Sequence, residues 1–270
     1  MIIESGSMKM HISEHGGYVT KITLGDYDLI KPGVMEAKTH GGIAPLFPYA
    51  NRIRNGSYSF CGKNYNFPLN KEGNSIHGFA KDLEWDILQR ENDKAVISTI
   101  LNNSGFPFNL ECMLTFKVKG TGFSLRAKFK GHADETPLAP GFHPYFRTGP
   151  EWKVHFSGKP KKAMKSDNYF PSGNYMEYYR NVRPRKVGTF DDCFMTDGPV
   201  TVEGEKYKYE METTGVKFIM LYNGEYAENS YVAAEPMSSA IDSFNNGESL
   251  VILKKDEIFE MGFSVNASKI

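Results

Sequence analysis

The chain has 270 residues, 40% of them hydrophobic and 13% aromatic, which is enough apolar material for a sizeable core and excludes a disordered chain. Its 32 basic and 32 acidic residues cancel. Nucleic acids and anionic membranes attract clustered positive charge, so this balance argues against both as main partners and favours a small, nearly neutral ligand.

Cysteine and histidine spacings argue against a metal site. Cys61, Cys112 and Cys193 are far apart, with no Cys-x-x-Cys, and the seven histidines show no His-x-His or His-x-x-x-His spacing. The N-terminus has no signal-like apolar run, and no segment approaches the ~20 apolar residues of a transmembrane helix. We therefore expect a reduced, cytoplasmic protein without disulfides or metal.

The predicted elements at the start of the chain are strands. Residues 18–30 alternate loosely around a glycine, which predicts two strands and a turn. In the stretch 45–85, alternating aromatic residues predict a hairpin in which Tyr58 and Phe60 face Tyr65 and Phe67 across a loop at residues 61–64. We expect this element to hold Arg52 at one end and His77 at the other.

The remainder of the chain also predicts strands. These are expected, in chain order, at residues 95–101, 110–118, 123–130, 152–157, 199–202, 206–211 and 216–221, with a final hairpin of 247–254 and 258–265. Residues 140–146 predict an aromatic turn, and residues 158–198 predict a long irregular excursion. Helical periodicity is sustained nowhere. We predict one domain over residues 1–270, an all-β antiparallel sandwich.

Four polar residues stand in apolar, turn-bounded surroundings: His77, His143, Asp191 and Glu235. A charge at such a position is costly unless it is paired or used. Each residue has an ordinary structural explanation, as a histidine bonded to the backbone, an Asx turn or a carboxylate that caps a turn. None of the four assigns a function by itself.

Five motifs taken together are more informative. They are Ala-Asn-Arg-Ile-x-x-Gly at 50–56, Asn-Ser-Ile-His-Gly at 74–78, His-Pro-Tyr-Phe at 143–146, Phe-Asp-Asp-x-Phe at 190–194 and Ala-Ala-Glu-Pro at 233–236. In this order and spacing they resemble the aldose 1-epimerase (mutarotase) family over residues 41–244. The resemblance implies the galactose mutarotase-like fold, a large antiparallel β-sandwich with a sugar site in a cleft on one sheet.

The resemblance also implies roles for single residues. The catalytic positions fall on Glu235, His143 and His77, and the sugar-binding positions on Asn51, Arg52 and Asp191. The family's isomerase reaction uses no cofactor, so we expect none, and the expected partner is a small-molecule monosaccharide bound by a monomer or homodimer. Residues beside the motifs differ from those of galactose mutarotases, which implies a different sugar preference.

Anomer exchange opens a hemiacetal: a proton leaves the C1 hydroxyl while the ring oxygen gains one. We interpret Glu235 as the base and His143 as the acid, on different sides of the anomeric centre. The carboxylate is expected to raise the pKa of His143 to about 7. Tyr145, Phe146 and Trp85 are either sugar-stacking residues or plain core.

Three other hypotheses stay open. A glycosidase would need two carboxylates around C1. A non-catalytic carbohydrate-binding protein would need Arg52 and Asp191 but no acid–base pair. A hexose 6-phosphate epimerase would use the basic segments 159–165 and 180–186, which would otherwise be solvated, charged loops.

Overall fold

Strands make up almost all of the regular structure. The structure, a computed structural model, describes residues 1–167, 169–183, 188 and 190–270. Its strands are β1 (Ile2–Ser5), β2 (Met8–Ser13), β3 (Tyr18–Leu24), β4 (Tyr27–Asp28), β5 (Ile43–Leu46), β6 (Arg52–Ile53), β7 (Ser57–Phe60), β8 (Lys63–Asn66), β9 (Ser75–Ile76), β10 (Asp86–Arg90), β11 (Lys94–Asn103), β12 (Phe106–Lys119), β13 (Gly122–Lys130), β14 (Glu135–Leu138), β15 (Gly141–Arg147), β16 (Lys153–Phe156), β17 (Lys161–Lys165), β18 (Pro171–Glu177), β19 (Asn181–Val182), β20 (Asp191–Met195), β21 (Val200–Glu203), β22 (Tyr207–Thr214), β23 (Phe218–Tyr222), β24 (Tyr231–Met237), β25 (Val251–Lys254) and β26 (Ile258–Lys269). Short 3₁₀ turns at Arg54–Gly56, Ala80–Asp82 and Glu225–Ala227 and one helical turn, α1 (Ser243–Asn246), complete the described elements.

Most of the strands belong to two large antiparallel sheets. One has eleven strands in the order β1-β2-β3-β5-β15-β24-β23-β20-β17-β18, with β4 beside β3, and the other has nine in the order β10-β11-β12-β13-β26-β22-β21-β16-β19. Three two-stranded pairs, β6–β9, β7–β8 and β14–β25, lie outside them. The predicted all-β antiparallel sandwich is confirmed. No helix in the described part of the chain is long and apolar enough to cross a membrane.

The core lies between the two sheets and follows from simple alternation. Along β12 the side chains from Phe106 to Val118 are buried at every second position. Aromatic rings meet across the interface: Phe142 lies 5.5 Å from Phe263, and Phe146 lies 5.1 Å from Tyr209. Burial of each such ring contributes about 2–3 kcal/mol.

Residues 140–146 are not the expected turn. They form β15, a central strand of the larger sheet, buried on both faces. Phe142 and Phe146 point into the core, whereas His143 and Tyr145 point to the opposite face. The prolines around His143 indicated a turn, but the buried central position produces a continuous apolar strand.

The aromatic hairpin has a shorter turn than predicted. Tyr58 faces Tyr65 as expected, but Phe60 faces Lys63 rather than Phe67. The turn consists of two residues only, Cys61 at φ 48° and Gly62 at φ 73°. Two positive φ angles are typical of the tight turns that match the twist of a hairpin.

The predicted excursion at 158–198 contains four strands, β17 to β20. Strand β18 is the edge of the larger sheet, and most of its residues are exposed. Exposure on both faces removes the alternation by which a strand is recognised in the sequence, so this part of the prediction is wrong. Residues 168, 184–187 and 189 of the segment lie outside the described residues.

The C-terminal strands do not form a hairpin with each other. Strand β25 pairs with β14, whereas β26 pairs with β13 and β22 in the middle of the nine-stranded sheet. The strands themselves were predicted within a few residues. Their partners are distant in sequence, which local turn signals do not reveal.

Arg52 and His77 lie together, not at opposite ends of one element. Arg52 pairs with Ile76 in the short β6–β9 ladder, and the backbone N–H of His77 donates to Asn51 O. Gly78 follows at φ 56°, where an added Cβ would lie 2.0 Å from the carbonyl oxygen of Phe47. The turn can therefore dock against the β5 segment only with glycine at this position.

Gly78→Ala is expected to destabilise the protein by about 3 kcal/mol, because a contact with backbone adds to the strain of a positive φ. The control is Gly120→Ala, at φ 60° with no atom within 4 Å of the added Cβ. This substitution adds the strain of a positive φ without the backbone contact, and is expected to lower the free energy of unfolding by about 1 kcal/mol. Urea unfolding measures both, and equal losses would contradict the proposed contact.

Candidate active site

One cavity of about 320 Å³ collects all six residues singled out by the sequence. Its described lining comprises Thr39, His40, Asn51, Arg52, Glu72, Ile76, His77, His143, Tyr145, Tyr169, Asp191, Met220, Tyr222, Tyr226 and Glu235. Two larger grooves, of about 480 and 470 Å³, are lined by residues of the nine-stranded sheet and contain none of the six. The residues that could carry out chemistry therefore lie on the side of the larger sheet.

The register between neighbouring strands determines which residues form the floor of this cavity. Gly141 pairs with Met237 and Tyr145 with Ala233, so His143 and Glu235 lie directly between these pairs on neighbouring strands. Glu235 in turn pairs with Met220 on β23. Two residues further along, Tyr145, Ala233, Tyr222 and Asp191 form a second row across β15, β24, β23 and β20. Side chains two apart in a strand share a face, so both rows face the cavity.

Glu235 and His143 are in direct contact at this floor. Glu235 Oε1 lies 3.4 Å from His143 Nε2, and the two residues are only 2% and 5% exposed. The second carboxyl oxygen of Glu235 and Nδ1 of His143 are buried without a hydrogen-bond partner among the described residues. Such groups are costly and are concentrated at functional sites.

The pKa of His143 shifts in the opposite direction from the one expected. Burial, with a smaller effect of His40, lowers it to about 3. Burial, and then the charge of Asp191, raises the pKa of Glu235 well above its ordinary value. Desolvation outweighs the attraction between the two groups, so burial favours the uncharged form of each, the carboxylic acid and the neutral imidazole.

His77 is held in one tautomer. Its Nδ1 accepts a hydrogen bond of 3.3 Å from the backbone N–H of Asn51, so its proton is on Nε2. Burial, followed by repulsion from the charged form of His143, lowers the pKa of His77 well below the ordinary value. The ring lies 5.3 Å from that of His143, centroid to centroid. His77 can therefore act as a neutral hydrogen-bond donor in the cavity.

Arg52 is anchored on three sides. Its Nε donates to Glu72 at 3.0 Å, its Nη2 donates to the other oxygen of Glu72 at 3.4 Å, and its Nη1 donates to Asn51 Oδ1 at 3.2 Å. The ring of Tyr169 lies 4.3 Å from the guanidinium carbon. These contacts fix the orientation of the planar donor group at the cavity wall.

Lysines of the basic segment 159–165 are engaged by carboxylates. Lys162 donates to Asp192 at 2.8 Å, and Lys165 lies 3.8 Å from Asp191 and 3.9 Å from Asp192. Asp191 itself lines the cavity and is partly exposed. The other basic segment, 180–186, lies partly outside the described residues.

The cavity also has an aromatic wall that sequence reasoning largely missed. His40 stacks on Tyr226 with ring centroids 3.5 Å apart, and Tyr145 stacks on His143 at 4.7 Å. Of the three candidate stacking residues only Tyr145 lines the cavity, since Phe146 and Trp85 belong to the core. His40 is in a loop outside the five motifs, so no pattern singled it out.

In the described part of the chain, no three histidine, cysteine, aspartate or glutamate side chains are placed to hold a metal ion together. The polar groups of the cavity are suited to proton transfer and to hydrogen bonds with hydroxyl groups. This is the chemistry that a polyhydroxylated ligand such as a sugar requires.

Comparison with known proteins agrees with this geometry. The family model described as aldose 1-epimerase matches residues 1–265. The Escherichia coli protein YihR, described as uncharacterized, is 22% identical over 237 residues, which cover 82% of this chain and 77% of YihR. Human galactose mutarotase is 24% identical over 188 residues, 67% of this chain and 53% of that enzyme, so the match spans about half of its length.

Solved structures extend the comparison to the fold. A putative aldose 1-epimerase from Escherichia coli superimposes with a TM-score of 0.87 at 20% identity, and the match covers 100% of this chain and 98% of the other. A GalM/aldose epimerase homologue from C. elegans gives a TM-score of 0.86 at 16% identity, with 100% and 99% covered. At these identities the likeness establishes the fold alone.

Glu235→Gln is expected to stabilise the protein at pH 8 more than at pH 5. A raised carboxyl pKa lowers stability once the pH exceeds the ordinary value of 4.5, because the unfolded chain then loses its proton first. The cost grows by about 1.4 kcal/mol per pH unit up to the raised pKa, and glutamine removes it. Urea unfolding at both pH values measures the gain.

The control for this experiment is Glu212→Gln, which removes an exposed carboxylate on β22. Its effect is expected to stay within about 0.5 kcal/mol at both pH values. A gain from Glu235→Gln that does not change with pH would contradict the raised pKa of Glu235.

Proposed function

Since the chain belongs to the aldose 1-epimerase family, we propose that it interconverts the α and β anomers of a free aldose, with Glu235 as base and His143 as acid. The observation that carries the proposal is the buried contact between these two groups at the floor of a cavity with a polar wall. The family consists of isomerases, and the sugar and the roles of single residues are the proposed part.

The proposed reaction conserves protons within the pair. The C1 hydroxyl gives its proton to the Glu235 carboxylate, the C1–O5 bond breaks with its electron pair going to O5, and the His143 imidazolium protonates O5. The open-chain aldehyde then rotates about C1–C2. The reverse transfers close the ring on the other face, so that both residues return to their starting states.

The pKa directions suit these transfers. A raised pKa makes the Glu235 carboxylate a stronger base, and a lowered pKa makes the His143 imidazolium a stronger acid. The neutral pair that burial favours is the form present with the open-chain sugar. Burial therefore favours the two proton transfers of ring opening. It disfavours the charged form of the pair from which these transfers start.

The acid and base lie side by side, not on different sides of the anomeric centre. This arrangement still fits the reaction, because the two oxygens that exchange protons are bonded to the same carbon. Neighbouring groups on adjacent strands can each reach one of them. The 3.4 Å contact leaves no room for a sugar between the two groups, so the sugar would lie above the pair.

The remaining cavity residues would position the sugar. His77 would donate its Nε2–H to a sugar oxygen, and Asn51, Arg52 and Asp191 would bind hydroxyls. Tyr145 would supply an apolar surface for a sugar face. Hydrogen-bonding groups of this kind discriminate strongly between substrates because an unmatched buried group is costly.

Glu235→Gln and His143→Asn are each expected to lower kcat by about 10²–10⁴, because each removes one positioned proton-transfer group. The optical-rotation decay of freshly dissolved α-glucose and α-galactose measures the rate after the spontaneous decay is subtracted. His155→Asn, which changes a partly exposed histidine on β16, is the control and is expected to keep the wild-type rate. Equal rates for all variants would refute the assigned roles.

The acid limb of kcat/KM is expected to lie far below the ordinary histidine value of 6.5. The pair works while it holds one proton, and acid removes this state only when His143 gains a second proton, below its lowered pKa. Alkali removes it as the pH passes the raised pKa of Glu235. Between about pH 7.5 and pH 5.5 we expect no fall in kcat/KM. A limb centred near 6.5 would contradict this account.

A further inference from the structure

In the cavity wall, the positive charge of Arg52 is paired with the negative charge of Glu72. A guanidinium carries five N–H donors. In the described structure three are engaged, two by Glu72 and one by Asn51. The two that remain can bind hydroxyls of a sugar, but the carboxylate of Glu72 already occupies the edge that binds anions through Nε and Nη2.

Glu72 is held in this place by its own turn. Asn70 Oδ1 accepts the backbone N–H groups of Glu72 at 3.0 Å and of Asn74 at 3.1 Å, and Asn70 Nδ2 donates to Glu72 Oε2 at 3.4 Å. Burial opposes ionisation of Glu72, but the hydrogen bonds and charge of Arg52 outweigh it and lower the pKa of this carboxyl. The carboxylate is therefore a fixed negative charge, with its side chain 33% exposed.

The rest of the described cavity lining supplies no compensating cation. Its histidines, His40, His77 and His143, all have lowered pKa values, with burial as the first cause of each. Asp191 adds a second carboxylate to the wall, and Lys165, which lies 3.8 Å from it, is not among the described lining residues. An anionic group on a bound sugar would therefore find no unpaired positive charge in the described lining of the cavity.

Resting on the function proposed above, we infer that Glu72 is a specificity-determining residue, which neutralises Arg52 so that the cavity admits neutral aldoses and rejects aldoses that carry a carboxylate or a phosphate. Glu72 acts through Arg52 and takes no part in proton transfer. Without its charge, the Nε and Nη2 edge of Arg52 is free to bind an anionic group of the sugar by two hydrogen bonds. The same site then gains affinity for anionic sugars.

The test compares wild type with Glu72→Gln, using anomerically equilibrated D-glucose and D-glucuronate in isothermal titration calorimetry. Kinetics on freshly dissolved anomers of both sugars run in parallel. We expect Glu72→Gln to raise the affinity for glucuronate relative to glucose by about tenfold, mainly as a lower KM, while glucose affinity changes less than about threefold. The gain for glucuronate is expected to shrink with added salt.

Three further variants make the result specific. Glu72→Ser removes the same charge with a smaller side chain and is expected to give the same shift. Glu72→Asp keeps the charge and is expected to keep the discrimination against glucuronate. Glu260→Gln removes an exposed carboxylate on β26, with the same change in net charge, and is expected to change neither affinity.

The outcomes separate this inference from the proposed function. Equal changes for both sugars would mean that Glu72 merely supports Arg52, and would overturn the inference. So would wild-type protein that binds glucuronate as tightly as glucose. If wild type binds sugars without accelerating anomer exchange, the proposed function fails while the affinity ratio still tests Glu72.

Discussion

A carboxyl group and an imidazole, buried in contact so that the charged form of each is disfavoured, are the feature on which the site depends. Glu235 and His143 occupy neighbouring positions on two central strands, where both side chains are almost inaccessible to water. Low polarity penalises the charged form of each group more than their mutual attraction favours it. The fold therefore holds two groups whose charged forms are strongly reactive in proton transfer. The stability of a large sandwich core offsets the free-energy cost of burying them.

The cavity is built from two kinds of structure with different tasks. The sheet supplies the floor, where hydrogen-bonded register fixes the acid–base pair. Short ladders and turns supply much of the wall, where positive φ angles at Asn51 and His77 direct side chains that a regular strand would point elsewhere. Groups for proton transfer are thus on central strands of the sheet, and several of the groups for recognition are on short ladders and turns.

The sequence predicted the fold class and named six residues that the structure places around one cavity, because alternation and ordered motifs are local signals. The pairing partners of the strands were harder to predict. Nothing local distinguishes a proline-flanked central strand from a turn, which explains the error at His143, and an edge strand such as β18 loses its alternation through exposure. The sign of the His143 pKa shift depends on burial, which only coordinates give. Glu72 and His40 lie outside the motifs and needed the folded cavity to be noticed.

The proton on the Glu235 carboxyl is the most direct test of this account. Infrared difference spectra between wild type and Glu235→Gln at neutral pH report the C=O stretch of a protonated carboxylic acid separately from the bands of a carboxylate. The account predicts a carbonyl band for a protonated, buried acid that Glu235→Gln lacks. Carboxylate bands alone in the difference spectrum would mean that Glu235 is ionised, and would contradict the preference for the uncharged pair that burial imposes.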